Sequence, residues 1–229
     1  MIAIITARGG SKRIPRKNIK KFMGRPMLAY AIEAALKSGI FEEVMVSTDD
    51  AEIAETAKKY GAEVPFMRSA KTANDTATTF DVLDEVINEY RKSGRTFDTL
   101  CCIYPCVPFL KAETLGQAYK KMISTGADAV LPVCEYPTPI EWALSIENGI
   151  IKVYDRIAKN TRSQDLKPKY FDVGMFYFCK TAKLYEHKSL MPENTVPFIL
   201  DETECQDIDN ETDWKLAEMK YRLLNEKNR

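Results

Sequence analysis

Histidine is all but missing from this 229-residue chain: its one imidazole, His187, lies in a lysine-rich stretch. A histidine-based metal cluster therefore has nowhere to form, and no serine or cysteine has a plausible base beside it. Hydrolysis through an activated nucleophile is disfavoured for that reason. The six cysteines (101, 102, 106, 134, 179 and 205) lack any C-x-x-C spacing, and five lie in or beside apolar runs. That pattern fits free buried thiols in a reducing compartment better than a disulfide framework. No apolar stretch approaches membrane length, and the short apolar run at the N-terminus lacks the preceding basic region of a signal peptide. The expectation is a soluble, cytoplasmic protein with no membrane partner.

Net charge is absent too, but only in sum. Residues 1–32 hold Arg8, Lys12, Arg13, Arg16, Lys17, Lys20, Lys21 and Arg25, with no acid before Glu33. Residues 201–213 hold seven carboxylates and no base. A basic patch for phosphates and an acidic patch for a divalent cation would together make a nucleotide–metal site; two solvated faces are the plain alternative. A nucleic-acid binding module is a further rival, and it calls for aromatics interleaved with the basic residues. Only Phe22 lies there, so nucleic acid is not an expected partner.

What is present is alternation. Strand-like runs at Ile2–Thr6, Val44–Ser47, Val64–Met67, Thr99–Tyr104 and Ala129–Val133 are separated by amphipathic stretches near Met27–Lys37, Ala51–Tyr60, Thr79–Lys92 and Ala112–Ser124. This predicts an α/β fold with a mainly parallel sheet flanked by helices. After about residue 135 the rhythm changes. Trp142–Tyr154 reads as a hairpin turning at Asn148-Gly149, residues 155–172 are polar and irregular, and Val173–Cys179 returns as a strand. Glu211–Asn225 reads as a closing helix. The whole chain, 1–229, is read as a single domain, with 135–172 as an inserted lobe whose hairpin arm is a candidate dimer contact or lid.

The first strand stops at Ala7-Arg8-Gly9-Gly10-Ser11-Lys12-Arg13. Glycines that allow a tight bend, with cationic and hydroxyl donors around them, describe a loop for a polyanion at a strand end. Neither G-x-x-x-x-G-K-[ST] nor G-x-G-x-x-G occurs, so this is not a kinase-type P-loop or a dinucleotide fingerprint. The run A-R-G-G-S-K-R-I-P-R-K-N-I instead resembles the signature of the CMP-sialic acid synthetase (acylneuraminate cytidylyltransferase) family, in which Lys12, Arg16 and Asn18 favour the nonulosonate branch. Three further segments resemble the family's motifs in the right order: Ser47-Thr48-Asp49, Arg68 with Asn74-Asp75-Thr76-Ala77-Thr78-Thr79, and Asp207-Ile208-Asp209. Thr161–Leu166 and Asp172–Tyr177 resemble the subgroup that activates pseudaminic acid. Tyr104–Leu110 departs from the Q-P-T-S-P-L-R of sialic acid members, which points away from sialic acid itself; N-acetylneuraminic and legionaminic acids stand as alternatives.

The resemblance implies a Rossmann-like nucleotidyltransferase sheet with a hairpin arm that pairs two subunits. It also implies a Mg²⁺-assisted transfer of CMP from CTP to the anomeric hydroxyl of a nine-carbon 2-keto sugar acid, with release of pyrophosphate. Positioning and charge stabilisation carry such a transfer. Arg8 and Lys12, with the amides of Gly9, Gly10 and Ser11, would hold the triphosphate, with Arg13 and Asn18 beside them. Lys17 would meet charge on the α-phosphoryl. Backbone groups at Ala7–Arg8, with Arg68 and Thr79, are candidates for cytosine. Asp75 and Thr76 are either nucleotide contacts or caps for the helix that starts near Thr79. Arg162 suits the sugar carboxylate because a guanidinium binds it bidentately; Gln164, Asp172 and Tyr104 would meet the rest of the sugar. Asp207 and Asp209 would share Mg²⁺, on the same side if Ile208 is buried between them. Asp209 also stands where a helix cap is expected. Loss of Lys17 or of the aspartate pair would have indicated a dead, regulatory relative, and both are present.

Overall fold

The computed structural model describes residues 1–155 and 160–226; residues 156–159 of the predicted lobe lie outside the described residues. The chain opens with β1 (Ile2–Thr6), a short ribbon of β2 (Lys21–Phe22) and β3 (Arg25–Pro26), then α1 (Met27–Ser38). There follow β4 (Glu43–Ser47), α2 (Ala51–Lys59), α3 (Thr79–Lys92), β5 (Thr99–Ile103) and α4 (Ala112–Thr125). The second half runs through β6 (Ala129–Glu135), β7 (Leu144–Glu147), β8 (Ile150–Val153), β9 (Tyr170–Asp172) and β10 (Phe176–Lys180). It ends with α5 (Thr181–His187), β11 (Thr195–Ile199) and α6 (Glu211–Glu226).

A seven-stranded sheet of order β11-β6-β10-β5-β1-β4, with β9 alongside β6, forms the middle layer. Ile2 to Ile5 of β1 are fully buried, as befits a strand covered on both faces. It pairs in parallel with β4 and β5, so that Ile4 lies between Met45 and Cys102. Two apolar cores result. Ala3 and Ile5 face a core shared with α1, α2, α4 and α6, whereas Ile2 and Ile4 face one shared with α3 and α5. The crossovers around β1 thus leave on opposite faces, which makes the ends of β1, β4 and β5 a topological switch point.

The predicted parallel sheet is present, with two antiparallel strands: β10 runs between β5 and β6, and the short β9 pairs with the end of β6. The predicted strand Val173–Cys179 is broken, because Gly174 adopts φ +64° between β9 and β10. Its N–H donates to Asp172 Oδ1 at 2.9 Å. The predicted strand Val64–Met67 does not form; only Glu63 bridges to Met45, and Pro65 has no N–H to continue the ladder. The hairpin β7–β8 is present and turns through Asn148 (φ +53°) and Gly149 (φ +76°), the left-handed pair of a type I′ turn. It stands as a separate two-stranded sheet. Among the described residues, no helix is long and apolar enough to cross a membrane.

Candidate active site

The ends of β1, β4 and β5 open into a cleft of about 660 Å³ lined by the loop after β1, residues 72–79, Tyr104–Cys106 and Asp207 and Asp209. The loop after β1 is fastened before it meets any ligand. Asn18, buried, donates from Nδ2 to the Arg8 carbonyl at 2.8 Å, and Gly9 N–H donates to Asp49 Oδ1 at 2.9 Å. Ala7 N–H donates to the Ser47 carbonyl at 3.0 Å. Arg8, Ser11, Lys12, Arg13, Lys17 and Asn18 line the cleft; Ala7, Gly9 and Gly10 do not.

The opposite wall is acidic. Ile208 is 1% exposed, so Asp207 and Asp209 flank a buried side chain and both carboxylates line the cleft. The cap of α6 falls elsewhere: Asn210 Oδ1 accepts from the N–H groups of Thr212 (2.8 Å) and Asp213 (3.0 Å). Asp209 is left to Arg13, at 2.8 Å, and to Lys17, at 3.9 Å. Lys17 also donates from Nζ to the Ile208 carbonyl at 2.6 Å, which fixes it between the two walls. Burial, with the neighbouring Asp209 charge, raises the Asp207 carboxyl above its ordinary range, against the lowering effect of Lys17. Two hard carboxylates, one of them poorly solvated beside the other, fit a divalent cation. Among the described residues no cluster of three or more His, Cys, Asp or Glu side chains is built to hold a metal. A Mg²⁺ here would complete its shell with phosphate and water oxygens, as that ion commonly does.

Arg68 lines the inner end of the cleft at 8% exposure. It donates to Ser47 Oγ (Nε, 3.0 Å) and to the Ser47 carbonyl (2.6 Å), and burial lowers its pKa. Asp75 lines the cleft and pairs with Arg8 at 2.8 Å and with Lys12. Thr76, exposed, does not line the cleft; its N–H (2.8 Å) and hydroxyl (2.7 Å) both donate to Asn74 Oδ1. The cap of α3 is neither of them but Thr78, in a capping box with Asp81. Cys106 lines the cleft, and burial pushes its thiol up to about 12, far from the thiolate that nucleophilic chemistry needs.

A second cavity, of about 540 Å³, shares Thr78, Thr79 and Tyr104 with the first. Tyr104 hydroxyl lies 3.2 Å from Thr79 Oγ1. Tyr177 hydroxyl donates to both Asp172 oxygens, at 2.9 and 3.1 Å, and both residues line this cavity. Of the predicted sugar residues, Tyr104 lines both cavities and Asp172 the second, whereas Arg162 and Gln164 line neither. Phe80, Asp81, Lys188, Ser189, Leu190 and Met191 complete the second cavity. The sequence reading missed them, and the one local signal, a chain reversal after α5 at Lys188 (φ +48°), carries no motif.

Residues 2–196 match the model of the family described as Cytidylyltransferase. A pseudaminic acid cytidylyltransferase of Campylobacter jejuni is 38% identical over 226 residues, which span 98% of this chain and 97% of that protein. A CMP-N,N'-diacetyllegionaminic acid synthase of Legionella pneumophila is 34% identical over 99% of this chain and 98% of its own length. In fold, the chain resembles a CMP:2-keto-3-deoxy-manno-octonic acid synthetase solved in complex with CTP, with a TM-score of 0.70, 18% identity and 98% of each chain covered. The chain belongs to the cytidylyltransferase family and is a nucleotidyltransferase.

Proposed function

We propose that this protein transfers the CMP group of CTP to the anomeric hydroxyl of pseudaminic acid, releasing pyrophosphate. The observation that carries the reading is the meeting of Lys17, from the loop after β1, with Asp207 and Asp209 from the far end of the chain in a single cleft. The choice of sugar rests on the 38% identical relative of that name; N,N'-diacetyllegionaminic acid is the second reading, favoured by the Legionella relative.

Arg8 and Lys12 hold the triphosphate, and Arg13 supports it from the acidic side. Lys17 meets the charge of the transferring α-phosphoryl as pyrophosphate departs in line. Arg68 and Thr79, at the inner end, meet the cytosine. Tyr104 and Asp172 hold the sugar in the second cavity, with its hydroxyl toward the first. Asp207 and Asp209 would hold Mg²⁺, which when bound neutralises phosphate oxygens and acidifies a coordinated hydroxyl. Residues 135–172 form the inserted lobe of a single domain, and its hairpin pairs two subunits. Ile146 (76% exposed), Ile150 (62%) and Ile151 (61%) on β7–β8 give that arm an apolar surface suited to a second copy.

The test is pyrophosphate release from CTP and Mg²⁺ with pseudaminic, N-acetylneuraminic, diacetyllegionaminic and ketodeoxyoctulosonic acids side by side. Preference for pseudaminic acid is expected. Turnover with another acid alone keeps the nucleotide site and overturns the sugar assignment, and silence with all four overturns the reading.

A further inference from the structure

The loop after β1 is gripped from behind by a residue that lines neither cavity. Asp50 follows the Ser47-Thr48-Asp49 segment and caps α2, accepting from Ile53 N–H at 3.0 Å. Its carboxylate also receives both terminal nitrogens of Arg16, Nη2 at 3.2 Å, and that same Nη2 also donates to Glu52. Arg16 has φ +56°, a left-handed conformation unfavourable for a residue with a Cβ. The chain turns there so that the Arg16 carbonyl accepts from the N–H groups of Ile19 (3.0 Å) and Lys20 (2.9 Å). That turn delivers Lys17 and Asn18 into the cleft.

The same carboxylate closes on the front of the loop. A Cβ placed on Gly9 would lie 2.8 Å from Asp50 Oδ2 and 3.0 Å from Asp50 Cβ. Pinned by Arg16 and by the helix cap, Asp50 has no room to yield, so only glycine fits against it. Gly9 directly follows Arg8, and Arg16 directly precedes Lys17. One carboxylate therefore controls both ends of the segment that carries the phosphate-facing cations.

We propose that Asp50 is a positioning residue for the phosphoryl transfer: through Arg16 and the face of Gly9 it fixes where Arg8 and Lys17 stand, without touching the nucleotide. The inference rests on the reading of CTP as substrate. Asp50→Asn keeps an N-cap acceptor and removes the charge that holds Arg16. Arg16→Gly removes the partner and takes up the left-handed φ without strain. Both variants, and their combination, are to be followed by CTP titration calorimetry, by steady-state kinetics in CTP and in sugar, and by thermal melting.

Each single variant is expected to melt close to the parent and to lose about tenfold in kcat/KM for CTP, the scale of one charge-assisted hydrogen bond. KM for the sugar is expected to stay unchanged. The double variant is expected to be no worse than the weaker single one, because both remove the same contact. A role confined to capping α2 would leave Arg16→Gly at parental activity, and that result overturns the proposal. Parental kcat/KM in folded Asp50→Asn, or losses that add in the double variant, overturn it equally. A parent protein that binds no CTP in the calorimeter overturns the functional reading and this inference together, whereas parental binding with unaffected variants removes the inference alone.

Discussion

Arg8 and Lys12, which we propose hold the triphosphate, share a partner in Asp75. On the proposed reading CTP would have to take them from that carboxylate, with Asp75 as an internal competitor. Exposed pairs of this kind are weak, and Asp75→Asn should tighten CTP binding only by about threefold, an effect that fades with added salt. Calorimetry at low and high ionic strength checks it; weaker binding would mean that Asp75 touches the nucleotide directly. Lys17 is a different case, half-buried and held by the Ile208 carbonyl at 2.6 Å. Lys17→Ala should lower kcat by about 10²–10³-fold, as the loss of a transition-state donor does. Calorimetry should find CTP affinity changed far less. A fall in melting temperature with kcat preserved would instead make Lys17 a structural strut. That Arg8, Lys12 and Lys17 share one cleft was legible in the sequence, because the three fall within one short basic segment. Their partners were not, since pairs such as Lys12 with Asp75, or Arg16 with Asp50, join distant segments and leave no local pattern.

At the level of elements, α3 does more than cover the sheet. Glu85 on α3 accepts from Ser69 N–H (2.7 Å), from Ser69 Oγ (3.0 Å) and from the Thr72 hydroxyl. It thereby fixes the loop that follows Arg68. Burial pushes the Glu85 carboxyl upward, but the bonds from Thr72 and Ser69 outweigh it and hold the group below its ordinary range. A carboxylate with a depressed folded pKa stabilises above the unfolded value, and the stabilisation is lost as pH falls through the folded one. Glu85→Gln should therefore cost about 1 kcal/mol at neutral pH, and the difference from the parent should close as pH drops below about 4.3. Chemical denaturation across that range measures it; a gap that persists at pH 3 would trace the effect to packing. The bounds of α3 were readable from its apolar periodicity, but its cap was not: Thr78 with Asp81 forms the capping box, in place of Asp75 or Thr76. The direction of β10 was not, because an apolar run encodes burial on two faces and says nothing about which way the chain crosses the sheet. For the same reason the break at Gly174 was hidden inside what reads as one strand.

For the whole molecule, the sugar residues pose a geometric question that a single subunit does not answer. Tyr104 and Asp172 stand at the second cavity, but Arg162, best suited to a carboxylate, lines neither cavity of its own chain. It follows a hairpin whose apolar side chains are open to solvent, with Tyr154 at 77% exposure. An isolated two-stranded ribbon is marginal in water; on the proposed pairing a partner would stabilise the arm, and a two-fold contact would carry each Arg162 toward the other subunit. Such an arrangement predicts complementation. Lys17→Ala and Arg162→Ala are each expected to be inactive alone. Co-refolded in equal amounts, they should form hybrids in which one cleft combines an intact Lys17 with the partner's intact Arg162. With random pairing, half the dimers are hybrid and each has one working site of two, so about a quarter of parental activity should return. An inactive mixture, with hybrids verified by differential tagging, would place Arg162 in the cleft of its own chain. Light scattering that shows a monomer at assay concentration would remove the paired arm altogether.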